Sequence, residues 1–532
     1  MRQPHRLRAL LAVGLAALAL AGCGVNPVTG KKEIQLISES QEVQIGVQNY
    51  LMSRQSQGGD WKLDAALTAY VQEVGAKLAA VSDRPLPYEF AVLNSSVPNA
   101  WALPGGKIAV NRGLLTALDN EAELAAVLGH EIVHAAARHG AKAQERGIFL
   151  QAGMVAAQIG VAASDMNPNL GNLLVQGAGV GAQLVSLRYG RDAELEADLY
   201  GTRYLKRAGY DPAAAVTLQQ KFVQLAAASG RDRQGWLEGL FASHPPSTER
   251  VQRNEQTLAA LGPGGELGRE RYAARLKPLL AMKPAYDKAD EALAAANAKD
   301  LPRARTLAAE ATRLLPREAR FHQLQGDLAL AAKDHGGARA FYEKSMELDP
   351  DYFGPYLGGG IAAYRSGDKV RAGQWLRRSA DLLPTAPALY YLGSLAREAG
   401  RTDEALGYFK NAAASNSEIG KQAAAEFVRL DLPRNPGNYV AAGAQLDARG
   451  VLVAIVENRS PVTLSEVQLT PVVLDAAGRI VEQARSLRLG RALASGERAA
   501  LDTGITGLDA EALQRVRIRV DAATAAPAPS DR

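Results

Sequence analysis

One cysteine, Cys23, stands in the 532 residues, which excludes any internal disulfide and asks for another role for that thiol. Surplus charge is nearly absent as well. The formal net charge is +5, but Arg2, Arg6 and Arg8 lie at the extreme N-terminus, and without them 58 basic residues face 56 acidic ones. No basic stripe interleaved with aromatics occurs, so a nucleic-acid partner is excluded. Histidine is scarce, seven in all, so a histidine spacing that fits a chemistry carries information. Disorder cannot dominate, because 47% hydrophobic and 22% charged residues is an ordinary globular balance. The length asks for three or four domains.

The basic excess belongs to residues 1–22. A basic start is followed by an apolar run, Ala9–Leu20, too short to span a bilayer comfortably. Leu20-Ala21-Gly22-Cys23 then has the form of a bacterial lipoprotein box, with Cys23 as the residue to be acylated. Several acyl chains on one residue anchor a protein stably. Gly24, not Asp, follows the cysteine; in enterobacterial-type sorting this directs the chain to the periplasmic side of the outer membrane, with the inner membrane as the alternative. Asn26–Gly30 reads as a turn-rich tether after the anchor.

The expected architecture is multidomain and mainly α. Residues 23–265 form an α+β domain, 266–432 a helical array, 433–520 a small all-β sandwich-like domain, and 521–532 a disordered tail. In the first, helices are expected over Ile37–Tyr50 and Glu121–Arg138, the latter capped by Asp119 or Asn120. Strands are expected over Tyr88–Leu93 and Lys107–Val110. Two apolar stretches, Gly147–Ser164 and Leu170–Leu187, each reach about the lower length of a transmembrane helix, but Gln151, Gln158, Asn172, Gln176 and Gln183 interrupt them. A buried or membrane-surface hairpin is the reading preferred over a bilayer-spanning one.

The array announces itself by its period. Pro316, Pro350 and Pro384 recur every 34 residues, as do Ala304, Ala338 and Ala372, and Gly326 and Gly360. Gly393 and Ala405 follow one residue short, and Tyr342 and Phe409 take an aromatic position of the second helix. This is the tetratricopeptide period. About four units are expected, fading beyond Asn416. Strands are then expected over Val451–Val456, Val467–Leu474 and Val516–Val520.

The chemistry lies in the Glu121–Arg138 helix. His130-Glu131-Ile132-Val133-His134 places two histidines one turn apart on one face, where both can ligate a single tetrahedral metal. Glu131 stands to the side, where it can accept a proton from a metal-bound water. His139 is nine positions from His130, half a rotation away on a continued helix, and reads as a packing or capping residue. Downstream, Glu194 and Asp198 are four apart on one helical face. Glu194 is the third candidate ligand, and Asp198 can hydrogen-bond a ligating histidine. Glu196 points to another, solvated face.

These residues resemble the HtpX/BepA-like metallopeptidases, relatives of the CAAX prenyl endoproteases. The family's HExxH and ExxxD motifs fall on His130, Glu131, His134, Glu194 and Asp198. Asn26–Gly30, Asn99–Gly106 and Ser243–Pro246 are also similar to segments of that family, and the resemblance spans about residues 25–260. It implies one Zn2+ per chain, endopeptidase activity and a part in quality control of outer-membrane proteins. Unfolded or misassembled envelope proteins would be substrates, and the repeats would recruit them or an outer-membrane assembly machine. The β domain and the lipoprotein cysteine depart from the repeat-bearing BepA-like plan.

Further candidates carry two readings each. The strand holding Trp101, Ala102 and Leu103 is either an edge that pairs with an extended substrate or a structural hairpin. His244, between Ser243 and Pro245, either approaches the metal's open position as a catalytic group or is a satisfied loop histidine. Arg250 is an oxyanion candidate. The rival function is a chaperone-like binding module in which the array does the work. A second rival, a membrane-embedded prenyl-protein protease, needs Gly147–Leu187 to cross the bilayer.

Overall fold

The computed structural model describes residues 23–146, 189–228, 243–475 and 477–527. The signal segment and the stretches at 147–187 lie outside them. Among the described residues no helix is long and apolar enough to cross a membrane. The chain divides into two compact units, Met1–Pro355 and Tyr356–Arg532.

The first unit opens on a hairpin, β1 (Cys23–Val25) and β2 (Lys32–Ile34), with Cys23 opposite Ile34 and Val25 opposite Lys32. Asn26 is wholly buried; its side-chain oxygen accepts from the Val28 and Thr29 amides, and its amide nitrogen reaches the Ala137 carbonyl at 3.3 Å. Asn26–Gly30 is therefore a docked turn, not a tether. An Asx turn satisfies backbone donors that a free linker would leave to water.

Helix α1 (Glu39–Ser56) starts at a Ser38/Gln41 capping box, and α2 (Ala65–Ala79) at Asp64. A three-stranded sheet follows, β3 (Glu89–Leu93), β4 (Ala100–Leu103) and β5 (Lys107–Asn111), in the order β3-β5-β4, with β3 parallel and β4 antiparallel to β5. Every residue of β4 and β5 is buried.

Helix α3 (Glu121–Ala136) is capped by Asn120, whose side chain accepts from the Glu123 amide, and all sixteen of its residues are buried. Helix α4 (Arg191–Arg207) packs on it, followed by α5 (Ala213–Ala228) and α6 (Thr248–Leu261). The crossing of α3 and α4 is backbone on backbone. A Cβ on Gly201 would stand 3.0 Å from the His130 nitrogen and 3.2 Å from the Gly129 carbonyl carbon.

The array begins with α7 (Arg269–Asn297), α8 (Leu301–Leu314), α9 (Ala319–Ala331) and α10 (His335–Leu348). It continues through α11 (Phe353–Arg365), α12 (Lys369–Leu382), α13 (Ala386–Glu398), α14 (Thr402–Ala412) and α15 (Glu418–Asp431). Asp300, Asp334 and Asp368 cap α8, α10 and α12 at the same 34-residue interval as the prolines that follow each of those helices. The glycines seat the partner helix: a Cβ on Gly326 would lie 2.8 Å from the Tyr342 ring, and one on Gly393 2.8 Å from the Phe409 ring. In the first unit the array shares a core with the α+β domain. Trp61 donates to the Tyr286 hydroxyl at 2.8 Å, and Arg320 donates to the Gly58 carbonyl at 2.8 Å.

The second unit ends in two antiparallel sheets. One is ordered β11-β7-β6 from β6 (Val440–Leu446), β7 (Val451–Asn458) and β11 (Arg498–Thr506). The other is β10-β8-β12, with β9 also on β8, from β8 (Leu464–Leu474), β9 (Ile480–Gln483), β10 (Leu487–Arg488) and β12 (Val516–Ala525). Ala454 and Val456 of one sheet share a core with Val467, Leu469 and Ile518 of the other, which makes a sandwich. Strand β12 pairs with β8 as far as Ala525, so order extends past the expected start of a disordered tail at residue 521.

Glu121, at the N-terminus of α3, ties this arrangement together. It accepts from Tyr70 of α2 at 2.6 Å, from Tyr210 at 2.8 Å and from Arg271 of α7. Burial opposes its ionisation, but these hydrogen bonds and the Arg271 charge hold its carboxyl below the ordinary range. The stabilisation is therefore complete above the ordinary glutamate pKa and disappears as pH falls through the depressed value. Glu121→Gln should cost about 2–3 kcal/mol at pH 7. Thermal melts at pH 7 and below pH 4 should show that gap closing on acidification.

Candidate metal centre

Four side chains from three parts of the first unit converge on one point. His130, His134, Glu194 and His244 each bring a ligand atom to within 4.8 Å of the others, and all four are buried. The first two come from α3, Glu194 from the first turn of α4, and His244 from the segment before α6. His130 Nε2 and His134 Nε2 are 3.0 Å apart; His130 Nε2 is 3.5 Å and His134 Nε2 3.4 Å from the Glu194 carboxylate. His244 Nδ1 lies 3.3 Å from His130 Nε2 and 3.1 Å from Glu194 Oε1.

The donor set fits a divalent cation. Ligands about 2.1 Å from a tetrahedral metal stand about 3.4 Å from one another, which is close to the spacing seen. His130 Nδ1 is 2.9 Å from Asp198 Oδ1. A proton held there makes Nε2 the nitrogen that faces the cluster. Nitrogens and a carboxylate gathered this closely in a dry interior need a proton or a cation between them. Nitrogen, nitrogen and carboxylate ligands suit zinc.

The surroundings set each group's charge. Burial opposes ionisation of Glu194, yet the neighbouring His244 and hydrogen bonds with His130 and His134 hold it far below the usual carboxylate range. Asp198 is also kept ionised against burial, chiefly by the Arg250 charge. Arg250 grips it with two bonds of 2.7 Å, from Nε to Oδ2 and from Nη2 to Oδ1. For His130, burial favours the neutral ring, but bonds to Asp198 and Glu194 raise its pKa to about 10, so a metal must displace a proton from Nε2. Burial keeps His134 neutral. Burial also raises Glu131, partly offset by His244 and His130. Glu131 Oε1 is 3.6 Å from His244 Nε2, and its Oε2 is buried with no hydrogen-bond partner.

Several sequence expectations change here. Arg250 is not an oxyanion donor: its guanidinium is committed to Asp198, Glu194 and the Pro245 carbonyl. Glu196 is not on a solvated face; it is half-buried and 3.1 Å from His139 Nε2. His139 is more than packing, since its Nδ1 lies 2.8 Å from His134 Nδ1. Tyr189 was not singled out by any motif, yet its ring stacks on His134 with centroids 4.0 Å apart. The strand Trp101–Leu103 lies at a sheet edge. Its side chains are buried, Trp101 edge-on to Tyr50 at 6.1 Å, so any contact with an extended chain there would be through main-chain groups. His244 stands at the fourth corner of the cluster, beside His130 Nε2 and Glu194 Oε1.

A buried carboxylate beside two helical histidines and a glutamate from a second helix defines the class: a metallopeptidase domain built on HExxH. Residues 65–257 match the model of Peptidase family M48, and that stretch of the chain is an M48 domain. Mitochondrial metalloendopeptidase OMA1 of Schizosaccharomyces pombe is 34% identical over 192 residues, 36% of this chain and 53% of that protein. The beta-barrel assembly-enhancing protease of Escherichia coli K12 is 28% identical over 250 residues, 46% of this chain and 50% of that protein. The chain thus spans about half the length of these relatives. Among solved structures, the MamA protein overlaps 28% of this chain and 81% of its own, with a TM-score of 0.25 and 18% identity. The repeat assignment rests on the helix packing and capping described above, not on that overlap.

Proposed function

We propose that this chain is a zinc-dependent endopeptidase acting on envelope proteins at the periplasmic face of a bacterial outer membrane. The observation that carries the reading is the convergence of His130, His134 and Glu194 beside a buried, partnerless carboxylate oxygen of Glu131. His130, His134 and Glu194 would hold the ion, and Asp198, fixed by Arg250, keeps the His130 ring in its ligating tautomer. When bound, zinc acidifies a water towards neutral pKa and polarises the peptide carbonyl. Glu131 would be the general base: its partnerless Oε2 could accept the proton of such a water and return it to the leaving amine, and burial, which raises its pKa, suits it to that role.

Hydrolysis requires a coordination place for water. His244 lies beside the other three donors, so it would have to leave that corner for a water to bind an ion held there. This occupied corner is also what favours the second reading, a chaperone-like binding module, because four protein ligands are the mark of a structural ion. One pair of variants separates the two. Glu131→Gln should lower the rate of cleavage of an unfolded protein by about 10²–10⁴-fold with zinc content unchanged. His244→Ala should keep or raise the rate. Cleavage by Glu131→Gln at the wild-type rate contradicts the catalytic assignment, and full complementation of a deletion by that variant supports the binding module.

Support for the envelope role comes from the E. coli relative, a beta-barrel assembly-enhancing protease, and from the 34-residue repeat, a kind of array that would recruit substrate or an assembly machine. Acylation at Cys23 would place the domain at the lipid surface. Strand β1 begins at Cys23, and Asn26 is locked against the end of α3, so little free chain would separate anchor from enzyme. Cys23→Ala should move the protein from the membrane fraction to the soluble periplasm; unchanged fractionation would contradict the anchor.

A further inference from the structure

Helix α3 ends at Ala136, and Arg138 adopts a left-handed backbone with φ 63°. A non-glycine residue there costs about 1 kcal/mol or more. The guanidinium of Arg138 offsets that cost through the wholly buried Glu42 carboxylate and the Ile37 carbonyl. The turn brings His139 back against the helix it has just left. Its Nδ1 meets His134 Nδ1 at 2.8 Å, and its Nε2 meets Glu196 Oε1 at 3.1 Å. His134 is 1% and His139 5% exposed, so water cannot take either partner's place.

We propose that His139 and Glu196 are positioning residues for the metal, a two-step relay that fixes His134 as a ligand through its Nε2. The inference rests on the cluster holding a divalent cation. Counting protons leaves one arrangement. A ligating Nε2 puts the proton of neutral His134 on Nδ1, where it is donated to His139 Nδ1. That nitrogen must then be bare, so the proton of His139 is on Nε2 and is donated to Glu196. The reverse order sets a bare Nε2 of His139 against a carboxylate and points an N–H of His134 at the cluster, which shuts out a metal.

The two helical histidines are therefore held unequally. His130 leans directly on Asp198, which Arg250 clamps. His134 leans on an imidazole, and the charge behind it, Glu196, is one ring further out.

The test is zinc binding by the full chain, measured by competition with a chromophoric chelator and without substrate. His139→Leu should weaken zinc about 10–100-fold, and Glu196→Gln should shift it in the same direction. His139→Asn, whose amide oxygen takes the place of Nδ1, should recover most of the loss. Glu196 is half-buried on α4, and its glutamine variant keeps its shape, so Glu196→Gln decides the matter should His139→Leu fail to fold. Affinities within about twofold of wild type in both variants would overturn the relay, as would a His139→Asn protein no better than His139→Leu. Wild-type protein that takes up no zinc would overturn the metal centre itself; normal uptake with unmoved variants overturns the relay alone.

Discussion

Where α3 crosses α4, two backbones touch without side chains between them, and the metal centre depends on that contact. Gly129 precedes His130, and Gly201 lies two turns after Glu194. A Cβ at Gly201 would stand only 3.0 Å from the His130 nitrogen, so glycine lets the two helices sit close enough for a glutamate on one to share an ion with histidines on the other. A Cβ inserted there would press the two backbones apart at the point from which His130 and Glu194 reach each other. The chemistry is thus set by packing before it is set by charge.

The charges then close among themselves. Glu194, Asp198, Arg250 and His130 are buried together, and none is left alone in a medium where an isolated ion is costly. Arg250 fills the role of a clamp: by binding Glu194 and Asp198 it fixes the carboxylate that orients a histidine and the one offered as a ligand. Glu131 is the exception. It is as buried as the others, yet one of its oxygens has no partner, and a dry acceptor beside a cation site is suited to taking a proton rather than to holding structure.

How much of this the sequence discloses follows from what each feature depends on. Local spacing is enough for the His130/His134 pair, for the Glu194/Asp198 pair and for the 34-residue array, because helix geometry and a repeat period are properties of neighbouring residues. Contacts that arise where regularity stops are hidden. His139 looks half a turn away only while α3 is imagined to continue; the helix ends and Arg138 reverses the chain without the glycine that usually marks such a turn. Glu196 looks solvated until His139 is placed, and Asn26–Gly30 looks like a linker until Asn26 is seen bonded to the Ala137 carbonyl. Tyr189 carries no motif at all. Arg250 reads as an oxyanion candidate in sequence, and only the fold supplies its two carboxylates.

The account stands on one ion at one point. Crystals of the zinc-loaded protein, measured on both sides of the zinc absorption edge, locate it directly. The account predicts a single anomalous peak about 2.0–2.2 Å from His130 Nε2, His134 Nε2 and a Glu194 oxygen. A zinc-loaded crystal with no peak there, or with the ion bound elsewhere in the chain, would contradict it.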